Sequence, residues 1–334
     1  MPRPFFQVTA GGADITDKLW GRGIALSITD GVGLESDTLQ IEIDDQDGMV
    51  AAPRTGVILS VRGGYTDGAQ RDFGEFKVDQ VSYTGYPQKI AISAQAVDAK
   101  SGQKQKRVED YQVAKFPTYG DIFSKIAGRM GLKLAISAEL KSKSNPFEFQ
   151  SEENDLTFGT RIGDKIDASV SVKSGHLVVV KRGKGTTVSG SELPRIIVEY
   201  GANVLSYNVT RKDKPKHTEV TATWFDRKKV ERKEVTVKAG KEGPTFLIRD
   251  PFQTEDEARE AAKTMAQNLG RGEASASFEI DGDPNARAEA YVEARGIRDL
   301  VDGLWRATTV THTFASGEPY KTSVECELPG AEEE

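Results

Sequence analysis

Ser36-Asp37-Thr38-Leu39-Gln40-Ile41-Glu42-Ile43-Asp44-Asp45 carries an apolar residue at every second position, Leu39, Ile41 and Ile43, with polar or acidic residues between. A period of two places those three side chains on one face of an extended strand and leaves the others wet. The same spacing recurs on both sides. Phe6 and Val8 precede a Gly11-Gly12 turn, and Ile24, Leu26 and Ile28 define a second strand. Val57, Leu59 and Val61 follow, then Phe76 and Val78, then Ile90 and Ile92. Short alternating runs separated by turn residues predict a small antiparallel β barrel over residues 1–100.

The pattern changes near residue 100. Ser101 to Arg107 is polar and basic and reads as a linker or exposed loop. Thr118-Tyr119-Gly120-Asp121 opens a helix, with Thr118 as N-cap and Asp121 three residues on. Ile122, Phe123, Ile126, Ala127 and Met130 share one helical face, and Gly131 is placed to stop it. A second helix is predicted from Asn154 to Ile166, where Phe158, Ile162 and Ile166 recur every four residues. Strands are expected at Leu132 to Ile136, at Ala168 to Val172 and, beyond a Ser174-Gly175 turn, at Leu177 to Val180. Residues 101–194 therefore read as a mixed helix and strand region.

Over residues 195–334 the alternation returns, at Ile196 to Tyr200, Leu205 to Val209 and Val220 to Trp224. One helix interrupts it. Thr254 and Glu257 form a capping box, Ala258, Ala262, Met265 and Leu269 make a stripe, and Gly270 is read as its end. Strands resume at Ser275 to Ile280, Arg306 to Phe314 and Tyr320 to Leu328, before a solvated acidic tail, Ala331 to Glu334. The fold class expected is β-rich α+β.

Composition narrows the function. The 334 residues include 37% apolar and 29% charged, which suits a protein with much surface per residue. Forty-five basic and 51 acidic residues are mixed along the chain and leave a net charge of -6, against a general affinity for nucleic acid. No stretch approaches the ~20 apolar residues of a membrane span, and the start of the chain carries no apolar leader, so membrane insertion is not expected. The single cysteine, Cys326, excludes an intramolecular disulfide and a multi-cysteine zinc site, and its alternating strand reads as core. These features lead us to expect a soluble protein made in a reducing cytoplasm.

No reactive constellation emerges. His176, His217 and His312 are far apart, and none belongs to a His-x-x-x-His pair. Asp44-Asp45-Gln46-Asp47-Gly48 has carboxylates and a glycine, but Ile43 breaks the calcium-loop phase and no closing Glu follows on a helix. A solvated acidic turn is the expectation. Gly183-Lys184-Gly185-Thr186-Thr187 lacks the first glycine of a phosphate loop and a following helix, and reads as a hairpin loop. Carboxylates are too abundant to single out a glycosidase pair, so a wall hydrolase has no residues to name. Arg211, Lys212, Lys214 and Lys216, then Arg227, Lys228, Lys229, Arg232 and Lys233, flank Trp224 and Phe225 in what reads as an exposed basic hairpin. Basic residues interleaved with aromatics can bind single strands. A nucleic-acid-binding regulator using residues 211–233 is thus the alternative function, though Glu231 and Glu234 dilute the field. The expectation is no enzyme, no cofactor and no metal.

Texture carries more than chemistry. Ala13-Asp14-Ile15-Thr16 followed by Ile24 to Asp30, then Ser36 to Asp45, and Phe73-Gly74-Glu75-Phe76-Lys77-Val78-Asp79, resemble the opening strands of the late control protein D family of contractile-tailed bacteriophages. Gln150-Ser151-Glu152-Glu153-Asn154-Asp155-Leu156-Thr157-Phe158 resembles that family's lead into an apolar helix, with Arg161-Ile162 at its arginine-leucine position and Asn154 where serine is usual. Val172 to Leu177 fits the hairpin that follows. Asp302-Gly303-Leu304-Trp305, Val310-Thr311-His312 and Tyr320-Lys321-Thr322 resemble its closing strands. The resemblance touches the start, middle and end of the chain.

The resemblance implies a structural baseplate hub of a contractile phage tail, related to the hub half of secretion-system spike proteins. Such a hub is a homotrimer in which each chain contributes two tube-like β barrels, one from each β-rich segment, around the mixed middle region. The ring would adapt a sixfold tail tube protein to a trimeric tail spike, alongside other baseplate proteins. It would be assembled in the host bacterial cytoplasm and reside in the virion tail. Asp37, Glu152, Asp155, Arg161 and His312 match family motifs and are expected to be structural or interface residues.

Overall fold

Each alternating run becomes a strand because only an extended backbone puts residues two apart on one face. The computed structural model describes residues 3–32, 37–97, 105–173, 175–211, 217–226, 229–240, 242–271 and 274–329. Ser36, most of the 101–107 linker, Ser174, Lys212, Lys214, Lys216, Arg227, Lys228 and the 331–334 tail lie outside these residues. The chain is mostly β.

The first segment forms β1 (Pro4–Ala10), β2 (Ala13–Asp14), a short helix α1 (Thr16–Trp20), β3 (Ala25–Gly31), β4 (Thr38–Asp44), β5 (Ile58–Tyr65), β6 (Gln70–Thr84) and β7 (Lys89–Ala96). Phe6, Val8, Leu26, Ile28, Leu39, Ile41, Phe76 and Ile90 all point into one buried cluster, as their parity requires. The middle segment forms β8 (Arg107–Tyr111), α2 (Tyr119–Met130), β9 (Lys133–Ile136), α3 (Ala138–Lys141), β10 (Glu148–Glu153), α4 (Asp155–Lys165), β11 (Ala168–Lys173) and β12 (His176–Lys181). Helices α2 and α4 cover the sheet β11-β12-β9. The capping box is complete: Thr118 and Asp121 satisfy each other's backbone N–H groups, and Gly131 takes the left-handed conformation that ends α2. Asn154 caps α4 by accepting from the Thr157 N–H at 2.8 Å.

The last segment forms β13 (Ile196–Glu199), β14 (Val204–Arg211), β15 (Glu219–Asp226), β16 (Glu231–Lys238), β17 (Phe246–Leu247), α5 (Glu255–Arg271), β18 (Ala274–Asp281), β19 (Tyr291–Arg295), β20 (Gly303–Ala315) and β21 (Lys321–Glu327). Helix α5 runs through Gly270 to Arg271, one residue past the expected stop, because the Arg271 guanidinium is held by Asp167 in two hydrogen bonds of 2.6 and 3.0 Å. Linker residue Arg107, expected in a loop, opens β8 and donates to Asp155 at 3.3 Å.

The first and last segments share one sheet. Its thirteen strands run β14-β18-β21-β20-β3-β4-β7-β6-β5-β1-β2, with β19 and β13 branching from β20. The seam is an antiparallel β20–β3 ladder from Thr309 opposite Gly31 to Ala315 opposite Ala25. One core cluster is built from the first segment with Phe314 and Tyr320, and another from β13, β18, β19, β20 and β21 around Trp305 and Phe278. Among the described residues the hydrogen-bonded strand path does not close on itself.

Candidate functional site

Leu26 and Ile28 fix the inward parity of β3, and residue 30 falls on the same face. It is Asp30, a carboxylate buried at 3% exposure. An unpaired charge there would be costly, so the fold supplies two cations. Lys173, at the end of β11, forms an ion pair with one Asp30 oxygen, and Arg71, on β6, donates to the other at 3.3 Å. Arg71 also donates to the Ala286 carbonyl at 2.9 Å and lies over the Phe73 ring. Residues from three segments thus meet around one carboxylate. They line a cleft of about 820 Å³, with Asp37, Arg287 and Glu289 also on its walls.

The electrostatics follow from burial and company. Burial alone would raise the Asp30 carboxyl, but Lys173 and Arg71 hold it below the ordinary carboxylate range. Asp37 has the poorer position. Burial and the neighbouring Asp30 charge push it up to about 6, against the weaker pull of Lys173 at 3.7 Å. Burial disfavours the Lys173 ammonium, yet Asp30 and Asp37 together raise it. His312 is fully buried beside this cluster. Its Nδ1 is 2.7 Å from the Tyr320 hydroxyl, and burial pushes the imidazole down to about 3, so the ring is neutral.

Of the five motif residues, Asp37 and His312 therefore fall at this junction, and the other three fall around β10 and α4. Asp155, in the first turn of α4, is buried and accepts from Arg107, Arg129 and Gln150 at 3.2 to 3.3 Å. A carboxylate at a helix N-terminus also meets the positive end of the helix dipole. Arg161 donates to both Glu153 oxygens at 3.1 Å and to the Phe149 carbonyl at 2.7 Å. Glu152 is exposed, at φ +52, where the β10–β8 register shifts.

Asp30, Arg71 and Lys173 escape a sequence reading because their pairing is long-range. The one available signal is a charged residue at inward parity in β3. Asp167, fully buried and paired with Arg271 and Lys181, escapes for the same reason.

Of the remaining motifs, the loop that follows Gly183 reaches the cleft wall through Thr186 and Thr187. No group of three or more His, Cys, Asp or Glu side chains with metal-site geometry occurs among the described residues. The acidic turn is tied down internally: Asp44 and Asp47 accept from the N–H groups of Gln46 and Met49 at 3.0 Å. Asp45, expected to be solvated, is buried and accepts from the Val50 N–H at 2.9 Å. The loop at Gly183 leads to a Thr186–Glu192 bridge, with the Tyr291 hydroxyl donating to the Gly183 carbonyl at 2.7 Å. The basic run does not form one hairpin. Arg211 ends β14 in the large sheet, whereas the hairpin is β15–β16, and its inward residues Val220, Ala222 and Val235 pack on Ala258, Ala262 and Ala266 of α5. Cys326 is buried in the core at 3% exposure.

No protein-family model matches the chain. Two curated relatives do, each at 28% identity over 97% of this chain and 93% of the relative: the proteins named "probable baseplate hub protein" in Escherichia phages 186 and P2. The chain is thus similar, along nearly its whole length, to the baseplate hub proteins of P2-like phages. Solved structures agree at the level of fold. The 43 kDa tail protein of prophage MuSo2 from Shewanella oneidensis superposes with a TM-score of 0.70 at 13% identity, over 97% of this chain and 98% of that one. A type VI secretion component, the c3393 protein of E. coli, superposes with a TM-score of 0.58 at 9% identity, over 99% of this chain and 77% of that one. A phage tail hub with an injection-system fold accounts for both kinds of likeness. Among the described residues no helix is long and apolar enough to cross a membrane.

Proposed function

We propose that the chain acts as a homotrimeric hub ring that adapts a sixfold tail tube to a threefold spike. The observation that carries this reading is the likeness to baseplate hub proteins along nearly the whole chain. Two tube-like barrels per chain fit it, one on residues 1–100 and one on residues 195–334, with the mixed region 101–194 between them. Supporting that division are two separate core clusters on either side of the β3–β20 seam and a third inside the middle segment. Three chains would then present six barrels to the tube, and each interface would repeat around a closed ring.

In this reading function lies in surfaces and not in a reactive residue. Asp37, Asp155, Arg161 and His312 hold the frame through the contacts described above, and Glu152 marks the register shift in β10. Assembly takes place in the bacterial host and the product is part of the tail baseplate. The test is co-expression with a tail tube protein and a tail spike protein of a P2-like phage. A complex that retains both partners through gel filtration is the expected result. A chain that elutes free of both would overturn the adaptor role.

A further inference from the structure

No apolar core joins the middle segment to the large sheet. Among the described residues, one buried apolar cluster is confined to the middle segment and two others to the sheet and its loops. Parts of one chain that meet without a large apolar interface are free to shift against each other. Strand β11 runs along the charged cleft that separates them. Its Val170 and Val172 face the helices, while Ser169, Ser171 and Lys173 face the cleft. The cleft is a wedge. Ser169 and its partner Val180 are buried near Asp167, whereas Ser171 and its partner Val178 are partly exposed toward Lys173. The strand rise sets Lys173 about 20 Å from Asp167.

The two ends are fastened differently. At the narrow end Asp167 is fully buried and holds Arg271, which ends α5 shortly before β18, with Lys181 at 3.3 Å. Arg271 also donates to the Arg182 carbonyl at 3.2 Å, and the next carbonyl, that of Gly183, accepts from Tyr291 of β19 at 2.7 Å. Parting this end would strand a buried carboxylate, which is costly. At the wide end Lys173 reaches across to Asp30 and Asp37. Its side chain is 34% exposed, so water and salt reach it. Asp30 does not depend on it, because Arg71 lies on the same side of the cleft and keeps its own 3.3 Å pair. The wide end can therefore part without leaving a buried charge alone.

We propose that Lys173 is a releasable latch, and that the middle segment rocks about the end held by Asp167, Arg271 and Tyr291 to widen the cleft. The closed and open states differ by the Lys173 pairs, while the buried Asp167–Arg271 pair persists in both. Hydrating Lys173 and Asp30 separately needs room for a water layer on each, which sets an opening of about 5–6 Å at the wide end. The device belongs to the single chain and holds whichever assembly that chain joins.

The experiment reads spin-label distances by pulsed electron paramagnetic resonance in the full chain, with Cys326 left buried in place. One pair, Lys133→Cys with Gln95→Cys, straddles the wide end. Lys133 pairs with His176, the partner of Lys173, and Gln95 lies opposite Thr38, next to Asp37. A second pair, Asp164→Cys with Leu304→Cys, brackets the narrow end. Labelled chain is diluted into unlabelled chain, so that distances within one chain are read. Lys173→Met should keep its circular dichroism, since Asp30 retains Arg71, and should lengthen the wide-end distance by about 5 Å. Salt at about 1 M, which screens charges beyond ~3 Å, should do the same to the chain that keeps Lys173. Lys173→Arg should hold the closed distance, and the narrow-end distance should stay fixed throughout. A wide-end distance that stays put in both arms overturns the latch. Movement under salt with none in Lys173→Met places the tie elsewhere and overturns it as well. Lengthening at both ends overturns the pivot.

Discussion

Replacing Asp37 by Asn should stabilise the protein at alkaline pH and leave it unchanged near pH 4. The carboxyl is raised from 3.8 to about 6 by burial and by Asp30. Between those two values the folded state binds more protons at this site than the unfolded state, so stability falls as pH rises through that window. At about 1.4 kcal/mol per unit, the shift sets a ceiling of about 3 kcal/mol on the cost of holding Asp37 ionised above pH 6. Asparagine keeps the shape and removes the charge, so the expected gain at pH 8 is about 1–3 kcal/mol, shrinking toward zero at pH 4. Asp30 acts in the opposite sense: its depressed carboxyl adds stability above the ordinary carboxylate range and loses it as pH falls below. Urea unfolding at pH 4, 6 and 8 reads the difference as a midpoint shift at unchanged slope. A loss of stability in the Asn variant at pH 8 would show that the Asp37–Lys173 pair outweighs burial, and would refute this account of the junction.

Other outcomes follow from single contacts. Thr118→Ala removes half of the α2 capping box and should cost about 1 kcal/mol, measured by the same urea series. Arg271→Met leaves Asp167 buried with Lys181 as its remaining cation, and should cost about 3–5 kcal/mol; a neutral result would show that Lys181 alone suffices. At Gly282 an added Cβ would lie 2.0 Å from the Tyr320 ring, so Gly282→Ala should cost roughly 1–3 kcal/mol by overpacking. Burial also pushes the Cys326 thiol up, so a thiol reagent at pH 8 should label it in urea and leave the native chain unlabelled.

How much of this was legible in the sequence depended on where the pairing partner lies. Strands such as β4 announce themselves because Leu39, Ile41 and Ile43 alternate within seven residues, and α2 carries its start and stop in Thr118, Asp121 and Gly131. The β8–β10 pair was missed because β10 turns polar residues inward. Glu148 and Gln150 are its buried positions, bonded to Tyr119 and Tyr111, so no apolar period exists to be read. The charged cleft was missed for a related reason. Lys173 meets Asp30 across 143 positions, and nothing local to either residue names the other. The basic run misled because its charges were continuous in sequence while Arg211 and β15 belong to different sheets.

Whether the hub subunits close into a ring is decided by solution mass, measured by light scattering from low to high protein concentration. A stable trimer is expected over that range. A chain that stays monomeric throughout would contradict it.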